Sequence, residues 1–203
     1  MSISIQSVSG LSDVFLSDNY ELVIPNLPSA LGATLSNPTS ASNELTIKNV
    51  TTSVPELQNQ QVSVWIHRQK VKWAGRRDFG DSITTSFIET ASTTVVNTLY
   101  AWSNLIVPLN TGIPNPKSTY IAPKLTVYML NASNQQSLAF NLYNVWPSKI
   151  TPSELGSSSE GSPVTFSVTW TYDWFDTNTV INPENINYTE DSKIVVPDIT
   201  TAV

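Results

Sequence analysis

The chain of 203 residues lacks cysteine altogether, which excludes disulfides, thiolate metal sites and cysteine nucleophiles. Charged residues are scarce at 13%, against a usual share of about 25%. The only histidine, His67, lies in an alternating segment, where we expect a structural or interface role. No apolar run approaches the ~20 residues of a spanning helix, and the N-terminus shows no secretory signal. We therefore expect no membrane anchor.

No set of residues with catalytic spacing is present. None of the serines lies in a Gly-x-Ser-x-Gly elbow. The adjacent acids Glu190 and Asp191 fall in a polar tail, where solvated charge is a better interpretation than glycoside hydrolysis. Residues 78–80 read Asp-Phe-Gly, as in kinases, but no Gly-rich loop or His-Arg-Asp motif accompanies them. The sequence predicts no enzyme, no cofactor and no metal site.

Residues 164–174 form the clearest pattern in the chain. Apolar or aromatic side chains occupy every even position from Val164 to Trp174, and polar side chains occupy the odd ones. This alternation predicts a strand with one dry face and one wet face, as in an antiparallel sheet. The length of the chain and its 40% hydrophobic content suit one domain with appendages.

The remaining elements follow from periodicity and breakers. Val95, Leu99, Trp102 and Ile106 recur at helical spacing, which predicts one helix that is capped within residues 90–94 and ended by Pro108. We predict further strands at residues 20–24, 45–50, 62–73 and 83–89, a hairpin of 125–130 with 138–146, and connections at 29–43, 110–123 and 147–163.

The basic residues are concentrated in one part of the chain. Six of the ten Lys and Arg residues lie between Lys48 and Arg77, and half of the acids lie from Glu154 onward. In the strand predicted at 62–73, Val62, Val64 and Ile66 should pack on a core, and the cations that follow at the same period should extend beyond it. One interpretation is a phosphate-binding ribbon. We favour pairing between subunits, because the net charge is −6 and nucleic-acid binders are usually basic.

The six tryptophans exceed what a core of this size strictly needs. Core packing accounts for most of them, and aromatic residues are also enriched at the buried centres of interfaces. A platform that binds sugars is a further alternative.

Four short blocks stand out when the chain is read in order. They are the turn Gly-Arg-Arg-Asp-Phe-Gly-Asp at 75–81, the helix ending Tyr-Ala-Trp at 100–102, Val-Trp-Pro at 145–147 followed by Leu155, and Tyr-Asp-Trp-Phe at 172–175. Together these blocks resemble the tail tube protein of contractile-tailed, T-even-like bacteriophages. The resemblance covers about residues 19–175, and the two terminal segments exceed the family's minimal length.

The resemblance implies a mainly β fold, an antiparallel β-barrel or sandwich with one flanking α-helix and extended terminal arms. We expect an N-terminal arm at 1–18, the tail-tube domain at 19–175 and an acidic C-terminal arm at 176–203. The interface candidates are Arg68, Lys70, Lys72, Arg76, Arg77, Asp78 and Asp81.

In function, the resemblance implies a virion protein of the phage tail, assembled in the host cytoplasm. Homohexameric rings would stack into the inner tube, enclose the tape-measure protein and conduct DNA without sequence-specific binding. The sheath, the baseplate or initiator and the tail terminator would be its partners. Two alternatives remain open, namely a ring- or cap-forming tube-end or injection-system component of the same fold, and a β-sandwich carbohydrate-binding module.

Overall fold

The computed structural model describes residues 15–35, 37–156 and 161–179. Most of both predicted arms, including Glu190 and Asp191, lies outside these residues. The strands are β1 (Tyr20–Val23), β2 (Asn49–Thr52), β3 (Gln58–Ile66), β4 (Gln69–Asp78), β5 (Ser82–Ile88), β6 (Ala122–Leu130), β7 (Gln136–Pro152), β8 (Thr165–Thr171) and β9 (Trp174–Thr179). The α-helices are α1 (Pro38–Ile47), α2 (Thr94–Ile106) and α3 (Lys117–Tyr120), and Ser29–Ala33 form a 3-10 turn. No helix in the described residues is long and apolar enough to cross a bilayer.

Seven strands form one antiparallel sheet in the order β1-β6-β7-β8-β5-β2, and β9 also pairs with β7. The 17 residues of β7 serve both halves of this sheet. The first part of β7 pairs with β6 and β9, and its last part pairs with β8. The fold is mainly β and antiparallel, resembling a sandwich or barrel, which confirms the predicted fold class.

The core lies between this sheet and α2. Trp102 of α2 and Trp170 of β8 are both fully buried, with ring centroids 5.3 Å apart. Each indole N–H has a partner, because Trp102 donates to the carbonyl oxygen of Tyr120 at 2.6 Å and Trp170 donates to Thr85 Oγ1 at 2.8 Å. Buried indoles need such partners. The helix predicted from Val95 to Ile106 is thus confirmed, and its apolar stripe faces the sheet.

A second helix, α1, replaces the end of the loop predicted at 29–43 and the first part of the strand predicted at 45–50, of which Asn49 and Val50 belong to β2. Asn37 caps it by accepting the backbone N–H of Ser40 at 3.1 Å, and Pro38 occupies the first turn, where a proline is tolerated. Ala41 and Leu45, one turn apart, are buried. Because most of the other positions carry Ser, Thr or Asn and the apolar Ile47 is exposed, the helical period is faint in the sequence. The expectation of a single flanking helix was therefore wrong.

The segment 164–174 is divided between two strands rather than forming one. Burial alternates as predicted from Phe166 to Tyr172, but β8 ends at Thr171 and β9 begins at Trp174. At the bend, the backbone N–H of Asp173 donates to the carbonyl oxygen of Tyr143 at 3.1 Å. Beyond the bend, β9 pairs with the first part of β7, whereas β8 lies between β5 and the last part of β7. Trp174 is partly exposed.

The remaining predictions were closer. The hairpin predicted at 125–130 and 138–146 is confirmed as β6–β7, and the strands at 20–24 and 83–89 correspond to β1 and β5. The connection predicted from Pro147 was wrong in its first six residues. A register shift between Pro147 and Lys149 lets β7 continue along β8 to Pro152, and bulges accommodate proline in strands.

Candidate assembly surface

Strands β3 and β4 form a separate two-stranded sheet, a hairpin that pairs with no other strand. The turn consists of His67 and Arg68, whose φ angles of 46° and 68° are both positive, as a type I′ turn requires. The single strand predicted at 62–73 was therefore wrong. The turn lacks the Asn-Gly or Asp-Gly signal typical of this geometry, so alternation alone suggested one continuous strand.

The turn changes which side chains share a face. Ile66 lies opposite Gln69, Val64 opposite Val71, and Val62 opposite Trp73. Directly opposed residues project from the same face of a sheet, so the apolar stripe continues from β3 into β4. Lys70 and Lys72 therefore lie on the other face, contrary to the prediction that they continue the face of Val62. We call the face that carries Val62, Val64, Ile66, Val71 and Trp73 the apolar face of the hairpin.

Within the described residues, no other element covers the hairpin. Trp65 is 70% exposed, Val62 51% and Trp73 48%, so the predicted packing of the first half on the core was wrong. An isolated two-stranded hairpin is only marginally stable in water, and contiguous exposed apolar side chains mark interaction surfaces. The apolar face of the hairpin is therefore a candidate interaction surface.

The structure places the seven predicted interface residues in two groups. Arg68, Lys70 and Lys72 lie at or near the tip of the hairpin, and Arg76 lies at a register irregularity farther down. Arg77, Asp78 and Asp81 lie at the base, in a cleft of about 580 Å³ that also includes Asp173. All seven are exposed or partly exposed.

The turn that joins the hairpin to the sandwich is held by contacts of aromatic side chains. The Tyr172 hydroxyl donates to the carbonyl oxygen of Phe79 at 2.6 Å, and Phe79 packs edge-on against Phe175 at 5.7 Å. Burial raises the pKa of Tyr172, and the nearby carboxylates of Asp81 and Asp78 raise it further. Tyr172 therefore remains a neutral hydrogen-bond donor and fixes the base of the hairpin.

Gly80 gives this turn its left-handed backbone conformation. Its φ of +72° lies in the left-handed region, and a Cβ atom there would be 3.2 Å from both the Glu56 carbonyl oxygen and the Tyr172 hydroxyl. Only glycine occupies such a position without strain. The direction in which the hairpin leaves the sandwich thus depends on this residue.

The sequence profile of the family described as phage tail tube protein matches residues 16–178. The chain belongs to this family. It is therefore a structural component of the tail tube type, and the family resemblance of the sequence is confirmed. No curated protein has a significant sequence match to it.

Solved structures share the fold of this tail tube family member. A chain of the anti-feeding prophage cap, which terminates the AFP tube, aligns with a TM-score of 0.62 at 12% identity, over 84% of this chain and 94% of that one. Chains of an extracellular contractile injection system align too. One from the PVC sheath–tube complex has a TM-score of 0.57 at 12% identity, over 88% of this chain and 100% of that one. One from the PVC sheath/tube terminator has a TM-score of 0.59 at 12% identity, over 84% of this chain and 100% of that one.

Charge divides this tail tube family member into two parts. The hairpin carries Arg68, Lys70, Lys72, Arg76 and Arg77, against the single acid Asp78 at its base. None of these cations forms an ion pair within the described residues, where the ion pairs involve Lys48 and Lys117 instead. Since the net charge is −6, the rest of the chain is strongly acidic. The hairpin is therefore complementary in charge to the body of another copy.

Across the described ranges, no three His, Asp or Glu side chains come together as potential metal ligands. The cations of the hairpin stand out in the sequence, but its apolar face does not. That face becomes visible in the sequence only when the turn at His67 is recognised and the alternation is counted separately in each strand.

Proposed function

We propose that the chain builds the inner tube of a contractile phage tail. Homohexameric rings stack head to tail, because a ring with different top and bottom surfaces forms a heterologous contact that does not close. The tube encloses the tape-measure protein during assembly and later conducts DNA without sequence-specific binding. Its role is structural rather than enzymatic.

The bare hairpin is the observation that carries this proposal. Its apolar face is exposed, and no other strand of the described residues pairs with its outer backbone edges. Strand edges and exposed apolar ribbons are hazards in a monomer, but they become contacts in a polymer. Membership of the phage tail tube protein family supports a tail tube as this polymer.

The predicted interface residues fit this role as two contact regions. The tip cations Arg68, Lys70 and Lys72 orient the hairpin against a neighbouring copy, and Arg77, Asp78 and Asp81 do so at its base. Exposed pairs contribute about 0–1 kcal/mol each, so they set register and orientation, while the apolar face supplies most of the affinity. Residues 19–175 and the rest of β9, to Thr179, make up the tube domain.

The partners follow from the same role. The similar folds come from assemblies described as a sheath–tube complex, a sheath/tube terminator and a baseplate. By analogy, the tail sheath surrounds this tube, a baseplate or initiator begins it and a terminator ends it. The protein belongs to the virion and assembles in the host cytoplasm.

Negative-stain electron microscopy and light scattering of the purified chain test this proposal. We expect hollow tubes of even diameter from the wild type. Trp73→Ser removes the largest side chain of the apolar face and should abolish tubes, since buried aromatic anchors contribute about 2 kcal/mol or more to an interface. Leu109→Ser is the matched control, because Leu109 is 94% exposed in the loop after α2 and lies away from the hairpin.

Two results would contradict the tube. Discrete rings that never stack would assign the chain to a tube end or cap instead. A monomer that persists at high concentration, with Trp73→Ser and wild type indistinguishable, would remove the basis for self-assembly. Circular dichroism on each variant separates a loss of assembly from a loss of folding.

A further inference from the structure

A cleft of about 560 Å³ lies between β1 and β2, the two strands that end the sheet order. In the described part of the chain, β1 pairs only with β6 and β2 only with β5. Each strand therefore presents a row of unpaired backbone N–H and C=O groups, which is a template for further strands. Both rows border the same cleft.

The side chains of the cleft have one sign of charge. Asp18 and Glu21 are among its lining residues, and no Lys or Arg is. Its apolar lining includes Ile47 at the end of α1 and Val50 of β2, and both of these side chains are exposed. The cleft thus combines carboxylates, apolar contacts and free backbone groups without an occupant from its own sandwich.

The tip of the β3–β4 hairpin has the complementary properties. It carries Arg68, Lys70 and Lys72 with no acid nearby, and Val64 and Ile66 are exposed beside them. Among the residues that the structure describes, the hairpin strands pair only with each other. A second copy is therefore the natural source of a hairpin for this cleft.

The direction of the strands favours a hairpin as the guest. Every neighbouring pair in the sheet order is antiparallel, so β1 and β2 run in opposite directions. A single guest strand would be parallel to one of them. A hairpin, whose two strands also run in opposite directions, places an antiparallel strand beside each one, and antiparallel pairing is slightly the more stable.

We infer that the cleft between β1 and β2 of one copy receives the tip of the β3–β4 hairpin of a neighbouring copy. The tip cations face Asp18 and Glu21, and the apolar face of the hairpin contacts Ile47 and Val50. This contact rests on the proposed self-assembly and identifies which two surfaces of the chain meet.

Cysteine cross-linking tests the contact directly, because the chain has no cysteine of its own. Ile66→Cys combined with Val50→Cys places one thiol at the tip and one in the cleft. Oxidation should produce a ladder of covalent multimers on a non-reducing gel. The matched control pairs Ile66→Cys with Ile113→Cys, because Ile113 is exposed but lies in the loop between α2 and α3.

Charge reversal provides a second, independent readout. Lys70→Glu should slow assembly about tenfold or more at low salt, since electrostatic steering changes association rates by 10–10³. Adding Asp18→Lys should restore the rate. Lys149→Glu makes the same change in net charge at an exposed residue of β7 and should leave the rate near that of the wild type. The difference should shrink in high salt because exposed charges are screened.

The outcomes for this contact and for the tube are distinguishable. Tubes that form while the 66/50 pair yields no more cross-link than the 66/113 pair would overturn the cleft contact and leave the tube role intact. Failure of the wild type to polymerise would count against the tube role, and the cross-link yield between copies in solution would then decide the contact by itself. A Lys70→Glu defect that Asp18→Lys does not rescue would also overturn it.

Discussion

Strand β8 and the β3–β4 hairpin contain similar apolar residue types, but these side chains are buried in β8 and exposed in the hairpin. In β8, Val168 and Trp170 alternate with threonines and are fully buried. In the hairpin, Val62 and Val64 alternate with Gln61, Ser63 and Trp65, yet both valines remain about half exposed. The apolar side chains of β8 are covered by helix α2, whereas no element of the described residues covers those of the hairpin.

The difference shows what alternation encodes. A period of two indicates that one face of a strand is to be covered, but it does not indicate what covers it. For β8 the cover is the rest of the chain, and for the hairpin it is, by our proposal, another copy. Substitutions that act on folding in one region should therefore act on assembly in the other.

The largest expected effect is on the buried side of this comparison. Trp170→Ala should lower the free energy of unfolding by about 3–5 kcal/mol, because it leaves a cavity beside Trp102 and an unpaired Thr85 hydroxyl. Chemical denaturation measures this loss. Trp170→Phe keeps a ring but no N–H donor and should lose less. A cost below about 1 kcal/mol for Trp170→Ala would show that the core repacks readily there.

The next effect lies at the junction between the two regions. Gly80→Ala should destabilise the chain by more than Gly112→Ala, although both glycines have positive φ. A side chain in the left-handed region costs about 1–2 kcal/mol, which both variants share. Only at Gly80 would the added Cβ also crowd Glu56 and Tyr172, whereas at Gly112 it meets nothing within 4 Å. Equal losses in thermal unfolding would show that the turn at Gly80 has room to relax.

The sequence predicts the buried side of the comparison well. Antiparallel β structure, α2 and the β6–β7 hairpin follow from apolar periodicity, because the residues that carry the period, such as Leu99, are those that pack in the core. Boundaries were less predictable. The bend at Asp173 depends on its backbone bond to Tyr143, a contact far away in sequence that no local pattern contains.

The exposed side was predicted only in part. Five of the seven interface candidates are hairpin cations, which their clustering in the sequence revealed. The turn at His67 and Arg68 lacks glycine, so the change of face that follows it was hidden. Helix α1 was hidden for a different reason, since its mean apolarity is low and its cap, Asn37, lies in a stretch that reads as a loop. In each case a tertiary or backbone feature outweighed local propensity.

A smaller effect concerns the ion pairs of the two regions. Lys117 lies 2.5 Å from Asp173, and its hydrogen bond lowers the pKa of Asp173, with a contribution from Asn144. Because its pKa is lowered in the folded state, Asp173 contributes stability at pH values above the ordinary pKa of Asp. This contribution is lost as the pH falls through the folded-state pKa. Asp173→Asn should remove that loss in acid unfolding curves and cost no more than about 1 kcal/mol at neutral pH, because both side chains are over a third exposed.

Asp81→Asn is the control for this titration. Asp81 is exposed and forms no ion pair with the described residues, so its replacement tests whether the loss of any surface carboxylate reproduces the effect of Asp173→Asn. If Asp173→Asn and the wild type lost stability in parallel below pH ~4, the Lys117 contact would have no role in acid stability.

The smallest expected effect is the sharpest test of the comparison. Trp65→Ala and Trp73→Ala should each change the unfolding free energy of the dispersed chain by no more than about 0.5 kcal/mol, because neither indole packs in the sandwich. Their effects on assembly should differ, since Trp73 lies on the apolar face and Trp65 on the face of Lys70 and Lys72. Loss of tubes only with Trp73→Ala would identify the apolar face as the one that a neighbour covers. A loss of 2 kcal/mol or more in the monomer for either variant would mean that the hairpin folds back on its own chain, and the contrast with β8 would then disappear.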